Sequence, residues 1–249
     1  MNKTIDINCD LGEGGKFDAD IMPLVSSCNI ACGGHFGDKT SVDKAVSLAK
    51  TYHVNVGAHP SYPDFENFGR KSMDLSPDEL KNHLHQQIDL IEESCKDFGV
   101  KLHHIKPHGA LYNDMRKSQN IADLILNVVT ERNSDLILFT PPYIKFSSKI
   151  PECITLWMEG FADRAYQNDL SLVSRKENGA VLNDPDLISK RVLSMINNQE
   201  VLSLSGEIIN HQFDTICVHS DTANALKILE ILRANLTQNG IKIGGNYES

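Results

Sequence analysis

The sequence has no long apolar run, and no window approaches the roughly 20 apolar residues that a membrane-spanning helix needs. The residues around Lys3 also carry no apolar segment of the secretory-signal type. Lys and Arg are scattered and the net charge is −9, so no basic stripe is available to neutralise nucleic-acid phosphates. We therefore expect a cytoplasmic protein that binds neither membranes nor nucleic acid.

Several well-known site motifs are also missing. The sequence has no Gly-x-x-x-x-Gly-Lys-Ser/Thr phosphate loop, no Gly-x-Gly-x-x-Gly dinucleotide turn, no Gly-x-Ser-x-Gly elbow and no His-Glu-x-x-His. Cys28 and Cys32 lack the second cysteine pair that a structural zinc site needs. These absences argue against a P-loop nucleotide site and a serine-hydrolase elbow in this chain.

What is present indicates a single α/β domain over residues 1–249. The composition is 41% hydrophobic, and no Pro-, Gly- or Ser-rich stretch divides the chain. Short β-branched segments alternate with helical patterns, which implies right-handed crossovers and a parallel sheet. About seven such repeats favour a (β/α) barrel, complete or incomplete, over an open sheet. The predicted strands are 4–9, 27–31, 55–58, 101–106, 135–139, 154–158 and 213–218.

The clearest helix signal starts at Ser76. Ser76, Pro77 and Glu79 form a capping box with a proline in the first turn, and apolar residues recur at helical spacing until Gly99. The stretch 159–212 is the least regular, and a hairpin or an excursion fits it. Further helices are expected at 41–53, 120–132, 186–198 and 223–239.

Polar clusters follow the strands, beginning with the first. Alternation places Asn8 and Asp10 on one face, and Glu13 follows just beyond. Two carboxylates in one pocket would hold a cation or raise the pKa of one of them for acid–base chemistry. The alternative is structural, with Asp10 capping a turn at Gly12 and Glu13 solvated. We favour the functional interpretation because the other strands end in similar clusters.

Two histidines follow the second and third strands. His35 lies in a glycine-rich loop where the backbone can approach a ligand, and Asp38 is placed to cap the next helix. His59 stands at a strand exit, before a long loop that carries Arg70. As a lid, this loop would bring Arg70 to an anionic substrate group; the alternative is a surface loop with a solvated arginine.

The densest cluster follows the fourth strand. Alternation aims His104, Lys106 and His108 in one direction, where they would hold a metal, a carboxylate or a phosphate. A lysine among neutral histidines is also a candidate for activation by desolvation. Because lysine is rarely buried unpaired, we favour a functional role over core packing.

Later clusters are less specific. Asp163 and Arg164 are placed to pair with each other, which would mean little at a surface. After the last strand, His219 is expected to face the pocket and Asp221 to cap the following helix. The polar group after the sixth strand comprises Glu159, Asp163, Arg164, Tyr166 and Arg175.

Taken in order, these clusters resemble the LamB/YcsF family. The resemblance runs from about residue 4 to residue 243 and therefore covers nearly the whole chain. The motifs that carry it are Asn8-x-Asp10-x-Gly12-Glu13, Asn29-Ile-Ala-Cys-Gly33-x-His35-x-Gly37-Asp38, Gly57-Ala-His59-Pro60-x-Tyr62-Pro63-Asp64, Lys106-Pro-His108-Gly-Ala-Leu-Tyr112-Asn113, Phe161-Ala-Asp163-Arg164-x-Tyr166 and Cys217-Val-His219-x-Asp221-Thr222.

The resemblance implies an irregular (β/α) barrel of the glycoside hydrolase/deacetylase type. It also implies a role in the ATP-dependent opening of 5-oxoproline (pyroglutamate) to L-glutamate by a 5-oxoprolinase, alongside partner subunits B and C. ATP use through those partners fits the missing phosphate loop. A divalent metal on Asp10, His59 and His108 is a further expectation, because the superfamily includes metal-dependent deacetylases.

The resemblance and the clusters together assign roles. We expect Glu13 or His108 to act as general base toward water, and Lys106 or Arg70 to stabilise anionic charge. The predicted catalytic residues are Asp10, Glu13, His59, Lys106 and His108. The predicted substrate-binding residues are Asn8, His35, Arg70, His104, Tyr112, Asn113, Asp163, Arg164 and His219.

Two alternatives remain open. One is a stand-alone metal-dependent amidase or carbohydrate deacetylase, and the other is a non-catalytic ligand-binding or scaffold subunit. The chain also departs from the family pattern at Leu170 and Ser220, where the family has glycines. Those replacements remove backbone freedom near the predicted pocket.

Overall fold

The computed structural model describes residues 3–132 and 135–244. Strands and helices alternate along this part of the chain. The strands are β1 (Thr4–Leu11), β2 (Ser27–Ala31), β3 (Asn55–His59), β4 (Leu102–Ile105), β5 (Leu136–Thr140), β6 (Ile154–Phe161), β7 (Glu200–Leu202), β8 (Ile208–Asn210), β9 (Thr215–Cys217) and β10 (Lys242–Ile243). The α-helices are α1 (Asp18–Ile21), α2 (Lys39–Tyr52), α3 (Pro77–Phe98), α4 (Gly109–Lys117), α5 (Gln119–Thr130), α6 (Pro185–Asn197) and α7 (Ala225–Gln238), and a 3-10 helix covers Met22–Leu24.

Seven strands form a closed parallel barrel. β1 to β6 are neighbours in chain order, and β9 pairs with both β6 and β1 to complete the circle. The predicted fold of about seven parallel strands is therefore confirmed, and each predicted strand segment overlaps one barrel strand. Outside the circle, β10 pairs with the start of β1, and β7 pairs with β8 in antiparallel fashion.

The helices start and stop where local chemistry permits. The Ser76 hydroxyl accepts a hydrogen bond from the Glu79 amide, and the Glu79 carboxylate accepts one from the Ser76 amide. Gly99, at φ 65°, ends α3 in the left-handed conformation that glycine adopts freely. At the start of α2, Asp38 is the N-cap, as predicted, and its side chain accepts a hydrogen bond from the Ser41 backbone amide. None of the helices in the described ranges combines the length and apolar character needed to cross a bilayer.

The helices expected at 41–53, 120–132, 186–198 and 223–239 overlap α2, α5, α6 and α7, but one helix was missed and one cap was assigned wrongly. Helix α4 was not predicted, although it begins directly after the polar cluster that follows β4. Asp221 does not cap α7, because α7 begins after Asn224 and the Asp221 carboxylate binds Arg70 and Arg175 instead. The irregular stretch 159–212 contains the end of β6, helix α6 and the β7–β8 pair, so it includes the hairpin considered from the sequence.

The barrel interior is polar rather than apolar. On β1, Asp6, Asn8 and Asp10 alternate with buried apolar residues, so they face the barrel axis while Ile7 and Cys9 face the outer helices. Burial raises the pKa of Asp6, which accepts hydrogen bonds from hydroxyl groups of β2 and β9. Hydrogen-bonded polar side chains therefore fill the barrel interior from the amino ends of the strands to their carboxyl ends.

Candidate active site

A cavity of about 600 Å³ lies at the carboxyl ends of the barrel strands. This is the end at which barrel enzymes carry their active sites, because the loops after several strands meet there. The structure brings the five predicted catalytic residues together on its floor. They are Asp10, Glu13, His59, Lys106 and His108.

Lys106 lies at the base of this floor, between two carboxylates. Its Nζ is 2.8 Å from Asp10 Oδ1, 2.9 Å from Glu159 Oε1 and 3.2 Å from Cys217 Sγ. Burial by itself would lower the pKa of Lys106, but the nearby carboxylates of Asp10 and Glu159 outweigh it and raise the pKa well above its usual range. The expectation of a lysine activated by desolvation is therefore wrong, since this ammonium stays charged.

Asp10 is held as a carboxylate. Its Oδ1 accepts from the Asn29 side chain at 2.8 Å as well as from Lys106, and its Oδ2 lies 3.5 Å from His59 Nε2. Burial would raise the pKa of Asp10, but the charges of His59 and Lys106 hold it well below its usual range. Asp10 is thus a fixed negative charge rather than a proton donor.

Backbone carbonyls define the proton positions on His59 and His108. His59 Nδ1 is 2.8 Å from the Lys106 carbonyl, and His108 Nε2 is 3.1 Å from the Phe68 carbonyl. A carbonyl oxygen can only accept, so each of these nitrogens carries a proton. The other nitrogens, His59 Nε2 and His108 Nδ1, face each other at 2.9 Å. If both rings are neutral, each of these two nitrogens presents a lone pair to the other. Such a contact is favourable only with a cation, either a proton or a metal ion, between the rings.

Glu13 and His35 stand next to this histidine pair. Glu13 Oε1 is 2.9 Å from His35 Nε2 and 3.4 Å from His108 Nδ1. The His35 ring stacks on His108 with centroids 3.7 Å apart, and burial lowers the pKa of His35. The Glu13 side chain is 10% exposed, so the alternative of a solvated Glu13 is wrong.

Among residues 3–132 and 135–244, two groups of side chains have metal-ligating atoms within 4.8 Å of one another. The predicted ligands divide between them, with His59 and His108 in the first group and Asp10 in the second. The first group is the better site, because the Lys106 ammonium contacts Asp10 and Cys217 of the second group and would repel a cation there. Its carboxylate and imidazole donors suit a divalent ion of the zinc type. The first group is Glu13, His35, His59 and His108; the second is Asp10, Cys217 and His219.

The predicted substrate-binding residues divide between the cavity wall and the layer behind it. Those behind the wall hold other groups: Asn8 donates to Glu159, His104 donates to Asn29, and Asp163 accepts from His219. Burial, with nearby His103 and Lys106, lowers the pKa of His104 well below its usual range. The residues that line the cavity are Arg70, Tyr112, Asn113, Arg164 and His219, and those behind it are Asn8, His35, His104 and Asp163.

The predicted Asp163–Arg164 pair does not form. Asp163 accepts from the His219 ring at 2.9 Å and from the Thr222 hydroxyl, and these partners hold its pKa low although burial would raise it. Arg164 donates to the Val173 carbonyl at 2.6 Å. The two neighbouring side chains therefore contact different groups.

The long loop after β3 reaches the catalytic floor. Phe68 and Gly69 both have positive φ, 55° and 62°, and this turn directs the Phe68 carbonyl to His108. A Cβ at Gly69 would lie 3.0 Å from both His108 Cδ2 and His35 Cβ, so the chain passes close above the floor. Arg70, at the cavity rim, forms a 2.8 Å ion pair with Asp221.

Sequence reasoning missed several site residues. Glu159 belonged to a recognised polar group but was not selected, although it lies near the carboxyl end of β6 just as Asp10 lies near that of β1. Asn29, the hub for Asp10 and His104, stands in the polar cluster of β2 and was also passed over. Arg116 lines the cavity from α4, the helix that was not predicted.

The chain matches the model of the LamB/YcsF family over residues 5–248. It is 40% identical over 245 residues to a protein of Pyrococcus horikoshii that is named as the A subunit of 5-oxoprolinase, with 96% of each chain covered. A protein of the same name from Staphylococcus aureus (strain Newman) is 41% identical over 246 residues, which cover 96% of this chain and 98% of the relative.

Solved structures share the architecture. The crystal structure of the lactam utilization protein from Thermus thermophilus matches with a TM-score of 0.89 and 34% identity, covering 97% of this chain and 99% of that one. A GH113 β-1,4-mannanase (TM-score 0.55, 10% identity, 95% and 99% covered) and a family 4 carbohydrate esterase from Streptomyces lividans (0.50, 12%, 98% and 93%) are alike in fold alone. The predicted barrel fold, which is shared with glycoside hydrolases and deacetylases, is therefore confirmed.

Proposed function

Because this chain belongs to the LamB/YcsF family, we propose that it opens the lactam ring of 5-oxoproline to give L-glutamate. In this proposal it is the hydrolytic subunit of an ATP-dependent 5-oxoprolinase and works with partner subunits B and C. The observation that carries the proposal is the convergence of Asp10, Glu13, His59, Lys106 and His108 on one cavity floor. The names of its relatives, which refer to 5-oxoprolinase and to lactam utilization, support the choice of substrate.

Ring opening requires water to attack the lactam carbonyl carbon, the carbon–nitrogen bond to break and the nitrogen to gain a proton. We assign the general base to Glu13, whose carboxylate is oriented by His35 and reaches the cavity. His108 suits this role less well, because burial and the neighbouring His59 and His35 lower its pKa well below its usual range. Glu13 would take the proton of the attacking water and pass it to the leaving nitrogen.

The other residues of the floor act by position and charge. Lys106 anchors Asp10, whose negative charge favours a cation at His59 and His108. That positive region would stabilise the negative charge that develops on oxygen at the carbon under attack. A metal ion held by Glu13, His35, His59 and His108 would add Lewis acidity and lower the pKa of a bound water. Arg70, at the rim, is placed to bind an anionic group of the substrate or of its activated form.

ATP enters the proposal through the partners. An unactivated amide is a poor electrophile, and phosphorylation of its oxygen by ATP would make the carbonyl carbon more reactive. The sequence has no phosphate loop for that step. We therefore assign phosphorylation to subunits B and C. In this chain, water would add to the activated carbon and the carbon–nitrogen bond would break as the nitrogen takes a proton. The γ-glutamyl phosphate that remains would react with a second water to give L-glutamate and inorganic phosphate.

The test is glutamate release from 5-oxoproline and ATP. We expect release from the mixture of this chain with its partner subunits, and none from this chain alone or from the partners alone. A His108→Gln variant in the mixture should lose turnover while its circular dichroism spectrum is retained. A silent mixture of folded subunits would contradict the proposal, and so would full turnover by the partners alone.

A stand-alone metal-dependent amidase or carbohydrate deacetylase is the second candidate. The observation that favours it is the compact donor group of Glu13, His35, His59 and His108. Metal analysis of the purified chain, with melting temperature measured before and after chelation, tests the site without an activity assay. Turnover of amides or acetylated sugars by the lone, metal-loaded chain would favour this candidate over the first.

A non-catalytic subunit is the remaining alternative. In that case the floor would only recognise 5-oxoproline or hold the partners. Asp10→Asn and His108→Gln variants that bind ligand but keep full turnover in the mixture would establish it. Loss of turnover with 5-oxoproline binding retained would exclude it.

A further inference from the structure

The cavity concentrates positive charge in an acidic protein. The chain has 24 Lys and Arg against 33 Asp and Glu, yet seven cationic residues line the cavity and only three acidic ones, Asp10, Glu13 and Asp221, are among its described lining residues. This imbalance in a protein of net charge −9 favours an anionic ligand. Apart from Lys106, the cations form what we call the cationic rim: Arg70, Arg116, Lys117, Arg164, Arg175 and Lys176.

The excess charge belongs to the rim rather than to the floor, although Arg116 in the rim pairs with Asp169 at 3.3 Å. On the floor, the single ammonium of Lys106 is matched by the carboxylates of Asp10 and Glu159. At the rim, two guanidinium groups share one carboxylate: Asp221 Oδ2 lies 2.8 Å from Arg70 and 3.0 Å from Arg175. Two positive charges therefore face one negative charge at this point.

Arg164 adds a further, buried positive charge to the cationic rim. It is 7% exposed and donates to the carbonyl oxygens of Val173 and Ala180, which carry no net charge. Burial and the nearby charge of Arg175 both lower the pKa of Arg164, as expected where positive charges crowd together. A bound anion would relieve this crowding.

Asp221 marks where that anion would sit. Arg70 and Arg175 come from different loops, and both guanidinium groups point at the same carboxylate. Forked guanidinium groups bind carboxylate and phosphoryl oxygens in the same planar manner. The Asp221 side chain is 39% exposed, so it can swing into solvent and release both arginines.

The number of charges favours a phosphoryl group over a carboxylate. 5-Oxoproline carries one carboxylate, which a single arginine satisfies, whereas a phosphoryl group brings about two negative charges and three acceptor oxygens. We propose that the cationic rim binds a phosphoryl group, with Arg70 and Arg175 exchanging Asp221 for it. This inference rests on the proposed function only for the origin of that group, which is either the phosphorylated lactam or ATP.

The test measures binding rather than turnover, on the full chain without partners. Isothermal titration with inorganic phosphate, and separately with ATP, should give saturable binding. An Arg175→Gln variant should weaken binding about 10- to 100-fold, since it loses a charged hydrogen-bonding partner. Asp221→Asn should tighten it, because the competing carboxylate is gone. ATP binding much tighter than phosphate binding would identify the nucleotide as the source of the phosphoryl group. Equal affinities would show that the nucleoside is not recognised and would identify the phosphorylated lactam as the source.

Lys149→Gln is the matched control. Lys149 is 88% exposed, pairs with Glu152 and does not line the cavity. Its variant removes one positive charge, as Arg175→Gln does, but should bind phosphate and ATP like the parent. Unchanged binding in Arg175→Gln, or weaker binding in Asp221→Asn, would overturn the proposal. So would an Arg175→Gln variant that binds both anions normally but no longer co-elutes with the partner subunits, which would make the rim a protein-docking surface.

The two proposals fail separately. A silent three-subunit mixture would refute the proposed 5-oxoprolinase reaction, but Arg175-dependent phosphate binding would survive it. Conversely, normal glutamate release by a mixture that contains the Arg175→Gln variant would refute phosphoryl binding by the cationic rim. The proposed 5-oxoprolinase reaction would still stand.

Discussion

Glu13 has the surroundings of a proton acceptor rather than of a structural carboxylate. It lies within 4 Å of three imidazole rings and still reaches the cavity. Sequence alternation placed it just beyond Asn8 and Asp10 but could not show which histidines would surround it. Those histidines come from β2, β3 and β4, so their meeting depends on how the barrel closes.

Glu13→Gln tests this residue. The amide keeps the shape of the side chain and can still accept from His35, but it cannot take a proton from water. We expect kcat for glutamate release by the full mixture to fall about 100-fold or more, with little change in KM. The control is Asp18→Asn, a carboxylate that accepts from the Gly12 amide outside the cavity and should leave kcat near the parent value. A kcat within threefold of the parent in Glu13→Gln would contradict the assignment.

His104 gives a prediction about acid stability. Its pKa is lowered in the folded state, chiefly by burial, so below about pH 6.5 the unfolded chain binds a proton that the folded chain does not. Stability attributable to His104 is therefore lost as the pH falls below that value, at up to about 1.4 kcal/mol for each pH unit.

His104→Gln should remove this dependence while keeping a donor for Asn29. Chemical unfolding between pH 5.5 and 7.5 measures it. We expect a lower stability at pH 7.5, because stacking on Phe139 is lost, but a shallower decline toward pH 5.5. An equally steep decline in the variant would show that other groups cause the acid sensitivity.

At the scale of elements, prediction succeeded where the signal was local. The capping box at Ser76 and the left-handed Gly99 define both ends of α3 without reference to the rest of the molecule. Helix α4 was missed because it starts at Gly109, without a side-chain cap, immediately after the polar cluster of β4. Asp221 was assigned to the wrong role because its true partners, Arg70 and Arg175, are 151 and 46 residues away.

The departure at Leu170 also has a local physical consequence. Leu170 has φ 60°, the left-handed conformation that a glycine would adopt without cost, and its side chain is buried at the cavity. For a residue other than glycine this backbone costs roughly 1–2 kcal/mol. Ser220, the other departure, has no positive φ. The loss of backbone freedom expected from the sequence therefore applies to Leu170.

Strand β3 offers an element-scale test at Gly57. A Cβ at this position would lie 2.0 Å from His104 Nε2, so alanine must displace the imidazole from Asn29. We expect Gly57→Ala to lower the free energy of unfolding by about 2–5 kcal/mol, the sum of overpacking and a lost buried hydrogen bond.

A double-mutant cycle gives the control. In a His104→Ala background the obstacle is gone, so Gly57→Ala should cost markedly less than in the parent. Equal costs in the two backgrounds would show that the clash with His104 is not the cause.

At the scale of the whole molecule, the barrel closes between distant parts of the chain. β1 pairs with β9, and β10 returns to the start of β1, so elements from both halves of the chain belong to one sheet. The single domain over 1–249, predicted because no Pro-, Gly- or Ser-rich stretch divides the chain, remains a prediction. A single domain should unfold cooperatively, in one transition.

Trp157 makes the prediction measurable. This single tryptophan lies on β6 and stacks on Phe139, so its fluorescence reports the barrel, whereas far-UV circular dichroism reports mainly the outer helices. We expect both signals to change in one coincident transition in urea. Two separated transitions would indicate more than one folding unit.

Periodicity and capping, which are local, were enough to predict the parallel barrel, its seven strands and the strand ends at which the polar residues gather. Pairings across the barrel were not predictable, because they join residues that are far apart in sequence. Lys106 and Asp10 are separated by 96 residues, and Asn8 and Glu159 by 151. Whether Lys106 would be a neutral nucleophile or a charged anchor depended on those partners, since burial alone and burial beside two carboxylates shift its pKa in opposite directions.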